Sequence, residues 1–399
     1  MINVEMLSTG DEVLYGQITD TNAAWLAGYL FDHGFPMTRR NTVGDKFTDL
    51  VDVLKERSLV ADILIVNGGL GPTSDDLSAE ADAAAAGVSL ELHEPWLARM
   101  ETFFAERGRE MAPSNRKQAM IPAGSEFIDN PVGTACGFLV RLNRCLIFFT
   151  PGVPSEFKVM VQQQIVPRLQ QAFPQVTAPL CLRMTTFGRS ESDLAQQLDP
   201  LPMPEGVVLG YRSSMPIIEL KLTGPASQEA AMRALWQTVR ETVGQSLIYE
   251  GTVGLPAVLA ASLQERNLSL VVSEQFTGGL LTWQLTSASV PVGNSEVLMP
   301  RCETLAALAE RAAAFSREAG SDLALVIGDM ADSLLNVALH TPDGTHALQV
   351  KWSASRHSEK IRQEVCAMLA MNMLRRWLNG LDVASEHGWI SVVDALHRA

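Results

Sequence analysis

The chain predicts an α/β protein whose N-terminal part is a doubly wound, mostly parallel sheet. Three observations carry this prediction. Up to about residue 170, apolar strand-like runs alternate with helix-like segments in the βαβ manner. The strand-like runs end in polar turns at Gly10-Asp11, Gly44-Asp45, Gly68-Gly69 and Pro151-Gly152, as strand ends along the ligand-binding edge of an open parallel sheet do. From about 175 the pattern changes, first to a small α+β module and then to a second α/β unit.

In order, residues 3–7 read as the first strand. After the Thr9-Gly10-Asp11-Glu12 turn, Asp20 or Thr21 can cap a helix whose apolar face is Ala24, Leu26, Ala27 and Leu30, stopped by Gly34. Residues 36–43 form the next strand, 47–57 a helix, 63–66 the third strand and 145–149 a further one. In the middle module, strands at 182–187, 207–211 and 217–223 are flanked by helices near 191–198 and 228–243. The last unit has a helix at 257–265, strands at 268–272, 323–327, 335–339 and 347–351, and a long amphipathic helix at 358–377.

A chain of 399 residues is long for one core and predicts two or three domains. With 47% hydrophobic and 19% charged residues it can bury full cores. Its net charge of −14 argues against a nucleic-acid partner. Cys136, Cys145, Cys181, Cys302 and Cys366 form no CxxC pair, which fits neither a disulfide framework nor a zinc site and points to a reducing cytoplasm. The N-terminus reads directly as a strand rather than a signal segment, and no apolar run matches a membrane span. A soluble cytoplasmic protein, with no nucleic acid and no membrane as partner, is the expectation.

The densest chemistry lies in Ile63-Leu64-Ile65-Val66-Asn67-Gly68-Gly69-Leu70-Gly71-Pro72-Thr73-Ser74-Asp75-Asp76. A run fit for one buried strand empties into a glycine-rich turn, and two carboxylates follow at the mouth of a helix. Glycines let backbone N–H groups approach an anion, and a helix N-terminus favours negative charge there. Acids beside such amides fit a divalent cation between carboxylate and phosphate. The turn is neither a P-loop nor the GxGxxG fingerprint. It predicts a metal-assisted nucleotide or phosphate-ester site, the plainer alternative being a tight turn capped by an acid.

Residues 10–22, beginning Gly10-Asp11-Glu12, together with Val43-Gly44-Asp45, residues 68–76, Asn115-Arg116-Lys117-Gln118-Ala119, residues 130–138 and residues 151–156, resemble the CinA family. The resemblance runs in order along the whole chain. It implies a molybdopterin-binding-type domain over 1–172, a KH-like linker domain over 173–250 and a nicotinamide-nucleotide deamidase-like domain over 251–399. It also implies metal-dependent hydrolysis of ADP-ribose, or a related small nucleotide, to AMP and a sugar phosphate, by a homodimer. Asp11, Asp45 and Asp76 would hold the metal, with Asp75 as a further catalytic acid; Glu12 and Glu156 compete with Asp75 for the role of base. Thr9, Gly10, Gly68, Gly69, Gly71, Thr73, Asn115 and Lys117 would bind substrate. The sequence does not choose among magnesium, manganese and cobalt, or say whether potassium assists. Binding of a nucleotide or pterin phosphate without turnover is the alternative.

The last domain departs from the family. Where active deamidases carry Ala-Glu-Ser-Cys-Thr-Gly-Gly, this chain has Ser273-Glu274-Gln275-Phe276-Thr277-Gly278-Gly279. Gln275 stands at the nucleophile position, and an amide is no nucleophile for acyl transfer. The family's Tyr-Ser-Asn-x-x-Lys element is missing, and its Thr-Gly-Ile-Ala-Gly-Pro loop reads Ile327-Gly328-Asp329-Met330-Ala331-Asp332. These departures predict a degenerate, inactive deamidase site at Gln275, Phe276 and Thr277. The middle module has no Gly-x-x-Gly clamp and few basic residues, so it is expected to be a spacer rather than an RNA-binding domain.

Overall fold

The structure, a computed structural model, describes residues 2–352, 357–385, 387–388 and 390–399. They fall into two compact units, Met1–Pro179 and Leu180–Ala399.

The first unit runs β1 (Val4–Thr9), α1 (Asp11–Leu14), α2 (Thr21–Asp32), β2 (Met37–Val43), α3 (Phe47–Ser58), β3 (Ile63–Asn67), α4 (Ser78–Ala86), β4 (Leu90–Leu92) and α5 (Glu94–Ala105). It continues with β5 (Met120–Pro122), β6 (Glu126–Ile128), β7 (Gly137–Leu142), β8 (Cys145–Thr150), α6 (Pro154–Met160) and α7 (Val166–Ala172). The main sheet has the order β2-β1-β3-β8-β7-β6. Its first four strands are mutually parallel, and the β6–β7–β8 side is antiparallel. β1, β3 and β8 are buried throughout, which is why they read as unbroken apolar runs. One face packs Leu50, Leu54, Trp96 and Leu97 from α3 and α5; the other packs Leu26, Leu30, Phe157 and Leu169 from α2, α6 and α7. The doubly wound expectation holds. Asp20 rather than Thr21 caps α2, its Oδ1 accepting from the Ala23 N–H at 2.8 Å.

The second unit begins with β9 (Leu180–Phe187), α8 (Glu191–Leu198), β10 (Val208–Ser214), β11 (Ile217–Gly224), α9 (Glu229–Val243) and β12 (Leu247–Glu250). These four strands form an antiparallel sheet in the order β10-β11-β9-β12. Chain order βαββαβ with that spatial order is the split βαβ, ferredoxin-like arrangement, and this corrects the KH-like expectation. Strand and helix positions were readable here; the order of strands in space was not.

The remainder runs α10 (Leu255–Glu265), β13 (Leu270–Glu274), α11 (Leu280–Ser287), β14 (Val292–Val297), α12 (Leu305–Ala319), β15 (Leu323–Ala331), β16 (Leu334–Thr341), β17 (Gly344–Trp352), α13 (Glu359–Leu378) and β18 (Ile390–Arg398). Its sheet has the order β14-β13-β15-β16-β17-β18, parallel over β14, β13 and β15 and antiparallel from β15 onward. Residues 327–332, expected as a loop, lie largely in β15. The turn to β16 is Asp332-Ser333, both with positive φ, as a two-residue hairpin requires. Among the described residues no helix is long and apolar enough to cross a membrane.

Candidate functional site

In the first unit, the C-terminal ends of β1, β3 and β8 open on a cleft of about 490 Å³. Of the residues singled out in the sequence, Thr9, Gly10, Asp45, Gly68, Gly69, Gly71, Asp75 and Asp76 line it. Asp11, Thr73, Asn115 and Lys117 do not lie among its lining residues. Gly68 has φ +113°, and a Cβ there would stand 2.6 Å from Thr9 Oγ1, so only glycine fits this turn.

The acids are largely committed to backbone. The Asp11 N–H donates to Asp45 Oδ2 at 3.1 Å, and the Asp45 N–H returns a bond to Asp11 Oδ1 at 3.3 Å. Burial pushes the Asp45 carboxyl above its ordinary range, and the neighbouring charges of Asp11, Glu12 and Asp75 push the same way. Asp76 Oδ2 accepts from the Thr73 N–H at 2.9 Å and from the Thr73 hydroxyl. Lys117 reaches the same loop from outside the cleft, donating to the Thr73 carbonyl at 3.0 Å and pairing with Glu80 at 3.2 Å. Asn115 donates to Gln118 Oε1 at 2.9 Å. Among the described residues no three His, Cys, Asp or Glu side chains gather as a metal-binding group. In this arrangement Asp11 and Asp45 bond to each other's backbone and Asp76 to Thr73.

Sequence reasoning missed the asparagines that hold the cleft. The Asn67 amide donates to the Pro151 carbonyl at 2.7 Å and to Thr150 Oγ1 at 3.3 Å, while its Oδ1 accepts from Asn22 Nδ2 at 3.0 Å. Asn22 also donates to the Gly152 carbonyl at 2.8 Å. Asn130 donates to Glu156 Oε2 at 2.7 Å, fixing that acid on the far wall. The available signal was an asparagine closing an apolar strand, directly before Gly68-Gly69.

In the second unit a polar cluster sits at the C-terminal ends of the parallel strands β13, β14 and β15. Ser273 donates its hydroxyl to Glu296 Oε1 at 2.8 Å and accepts from Arg311 Nη1. Arg311 also grips Glu303, Nη2 to Oε2 at 2.8 Å and Nε to both oxygens at 3.1 and 3.2 Å. Gln275 donates to Glu303 Oε2 at 2.8 Å, and its Oε1 accepts from the Arg301 N–H at 3.2 Å. Both ends of this amide are held, so Gln275 is a strut. Glu274 is fully buried and accepts from the Thr277 hydroxyl at 2.6 Å, from the Leu281 and Thr282 N–H groups at 3.0 and 2.8 Å, and from the Thr282 hydroxyl at 2.6 Å, which caps α11. Phe276 packs partly buried against the core.

Residues 5–171 match the family model described as a probable molybdopterin binding domain. A CinA-like protein of Shigella flexneri is 63% identical over 99% of both chains. So is a protein of Escherichia coli strain K12 called NMN amidohydrolase-like protein YfaY. A solved structure of the protein CinA from Thermoplasma acidophilum, of unknown function, is 31% identical, with a TM-score of 0.37, covering 40% of this chain and 94% of its own. These findings overturn two expectations. Hydrolysis of ADP-ribose has no support in the relatives' names or the matched domain. The expectation of an inactive last domain has no support either: a relative alike over the full length is called NMN amidohydrolase-like, and the cluster around Gln275 keeps a bonded hydroxyl, Ser273. At this identity and coverage, the chain belongs to the CinA family.

Proposed function

We propose that the chain has a nicotinamide-nucleotide amidohydrolase-type role, carried by the polar cluster of its second unit. The observation that carries this reading is the Ser273 hydroxyl, held between a carboxylate acceptor, Glu296, and a guanidinium donor, Arg311. Such a pairing orients the oxygen and offers a base for its proton. Glu296 lies on the edge strand β14 and is partly open to solvent, whereas Ser273 is fully buried, so a substrate reaches its hydroxyl only if part of this cluster moves aside. Ser273 Oγ adds to the carboxamide carbon as its proton passes to Glu296. The proton then goes to nitrogen as the C–N bond breaks, and ammonia leaves. Water cleaves the resulting ester, releasing the carboxylate and restoring the serine. The relative named NMN amidohydrolase-like supports this substrate class. For the first unit, the matched family description supports a molybdopterin-type ligand in the glycine-walled cleft.

The test is ammonia release from nicotinamide mononucleotide by the purified chain, with the acid product identified by chromatography. Wild type and Gln275→Ala should release ammonia, and Ser273→Ala should not. No release by folded wild type overturns the reading; full activity in Ser273→Ala removes that residue from it.

A further inference from the structure

A second cavity in the second unit, of about 390 Å³, lies between the β9–α8 turn, the end of α9, the last turns of α13 and the segment around Ser385 and His387. Arg376 and Asn372 of α13, Gln245, Ser246 and Arg189 contribute its polar walls. Its unusual feature is charge. Arg375 and Arg376 are adjacent and only 7% and 6% exposed, yet neither has a carboxylate partner within ion-pair distance among the described residues.

Their bonds go to neutral oxygens. Arg376 donates from Nη2 to Gln245 Oε1 at 2.9 Å and from Nε to the Asp382 carbonyl. Arg375 donates from Nε to Asn372 Oδ1 at 2.9 Å and from Nη2 to the Gln245 carbonyl at 3.0 Å. Arg189 is different, being neutralised by Asp193 at 2.5 Å. Asp382 uses Oδ1 to cap the Ala384 N–H, and its charge acts on Arg376 only from beyond ion-pair distance. Buried cations are ordinarily paired, because removing a charge from water is costly without a counter-charge. Burial, and then the charge of Arg376, bring Arg375 down to about 10. Burial and the same two arginines bring His387 down to about 4, so its ring adds no charge to the cavity near neutral pH.

We propose that this cavity is a binding site for a phosphate-bearing small molecule, whose dianionic group is the missing partner of Arg376. A guanidinium with part of its fork unspent matches phosphate oxygens; the Ser246 hydroxyl is spent on the Val243 carbonyl at 2.7 Å, and Ser385, 3.2 Å from His387 Nε2, is the remaining hydroxyl in the wall. The volume exceeds what inorganic phosphate needs, leaving room for an organic body. This site is separate from the Ser273 cluster and does not depend on its chemistry.

The probe is inorganic phosphate, titrated into the full chain at constant ionic strength with chloride as the exchange ion, and read by hydrogen–deuterium exchange. That readout separates this cavity from the cleft of the first unit. Saturable protection confined in the second unit to peptides spanning 187–190, 243–246 and 372–388 is expected, with affinity falling about tenfold or more in Arg376→Gln. Should Arg376→Gln fail to fold, Ser385→Ala, which removes only a hydroxyl, must weaken the protection by a measurable factor. Absence of phosphate-dependent protection in these peptides, or unchanged affinity in the folded variant tested, overturns the site.

Discussion

Gln275 donates its side-chain amide to Glu303 Oε2 at 2.8 Å, and Arg311 grips the same oxygen at 2.8 Å from the other side. A residue standing where the family has a nucleophile thus serves a half-buried carboxylate. Glu303 in turn anchors Arg311, which holds Ser273. Removing Glu303 leaves the half-buried Arg311 without its bidentate partner. Glu303→Ala should cost about 3 kcal/mol of unfolding free energy. Urea denaturation followed by circular dichroism measures it, and a loss below experimental error would make the cluster energetically idle.

Asn67 joins β3 to the turn after β8 and to Asn22 of α2, with all its partners more than forty residues away in the chain. Asn67→Ala strands the Pro151 carbonyl and the Asn22 amide. A loss of about 2 kcal/mol is expected in the stability of the first unit. Asn67→Asp keeps the size but turns a donor into an acceptor, and should be no better. Thermal unfolding of both variants checks this.

Asp82 is completely buried on α4, and neither carboxylate oxygen finds a hydrogen-bond partner among the described residues. Burial pushes its pKa up to about 7. The native state therefore keeps a proton that the unfolded chain releases near the ordinary value of 3.8. Its contribution to stability is complete below that value and is lost as pH rises through about 7. Asp82→Asn should flatten the dependence of the urea midpoint on pH across this window and stabilise the protein above it. An unchanged slope would place the titration elsewhere.

Gly188 has φ +93°, and a Cβ there would lie 2.1 Å from His387 Nδ1. The Gly388 N–H also donates to the Gly188 carbonyl at 3.0 Å. Gly188→Ala combines an unfavourable backbone with a clash and should cost at least about 2 kcal/mol. Proteolysis within 185–190 and 380–390 should rise together in this variant, since the two segments close on each other.

Much of the fold was legible because periodicity and turn chemistry are local. Residues 63–66 were readable as a strand emptying into Gly68-Gly69, and a cap was readable at Asp20 or Thr21, of which the structure uses Asp20. The four-residue α1 was not, because Asp11–Leu14 is too short to show a period and buries no side chain. The glycines and acids at strand ends pointed to the cleft. Which carboxylates face it depended on bonds between loops distant in sequence, such as Asp11 with Asp45. Asp11 and Asp45 each lie two residues past a strand end, yet their exchange of backbone bonds turns them toward each other. The KH-like expectation failed for the same kind of reason, since βαββαβ spacing says little about which strands become neighbours.

β18 pairs with β17 along nearly its full length, from Thr345 opposite Arg398 to Trp352 opposite Ile390. Residues 390–398 are the last of this sheet to be synthesised. Until they emerge, β17 presents a row of unmatched N–H and C=O groups, a border to which any other extended chain can adhere. The closing strand thus acts as a selvedge, and the interval before it is woven in is when a nascent chain is most apt to stick to its neighbours.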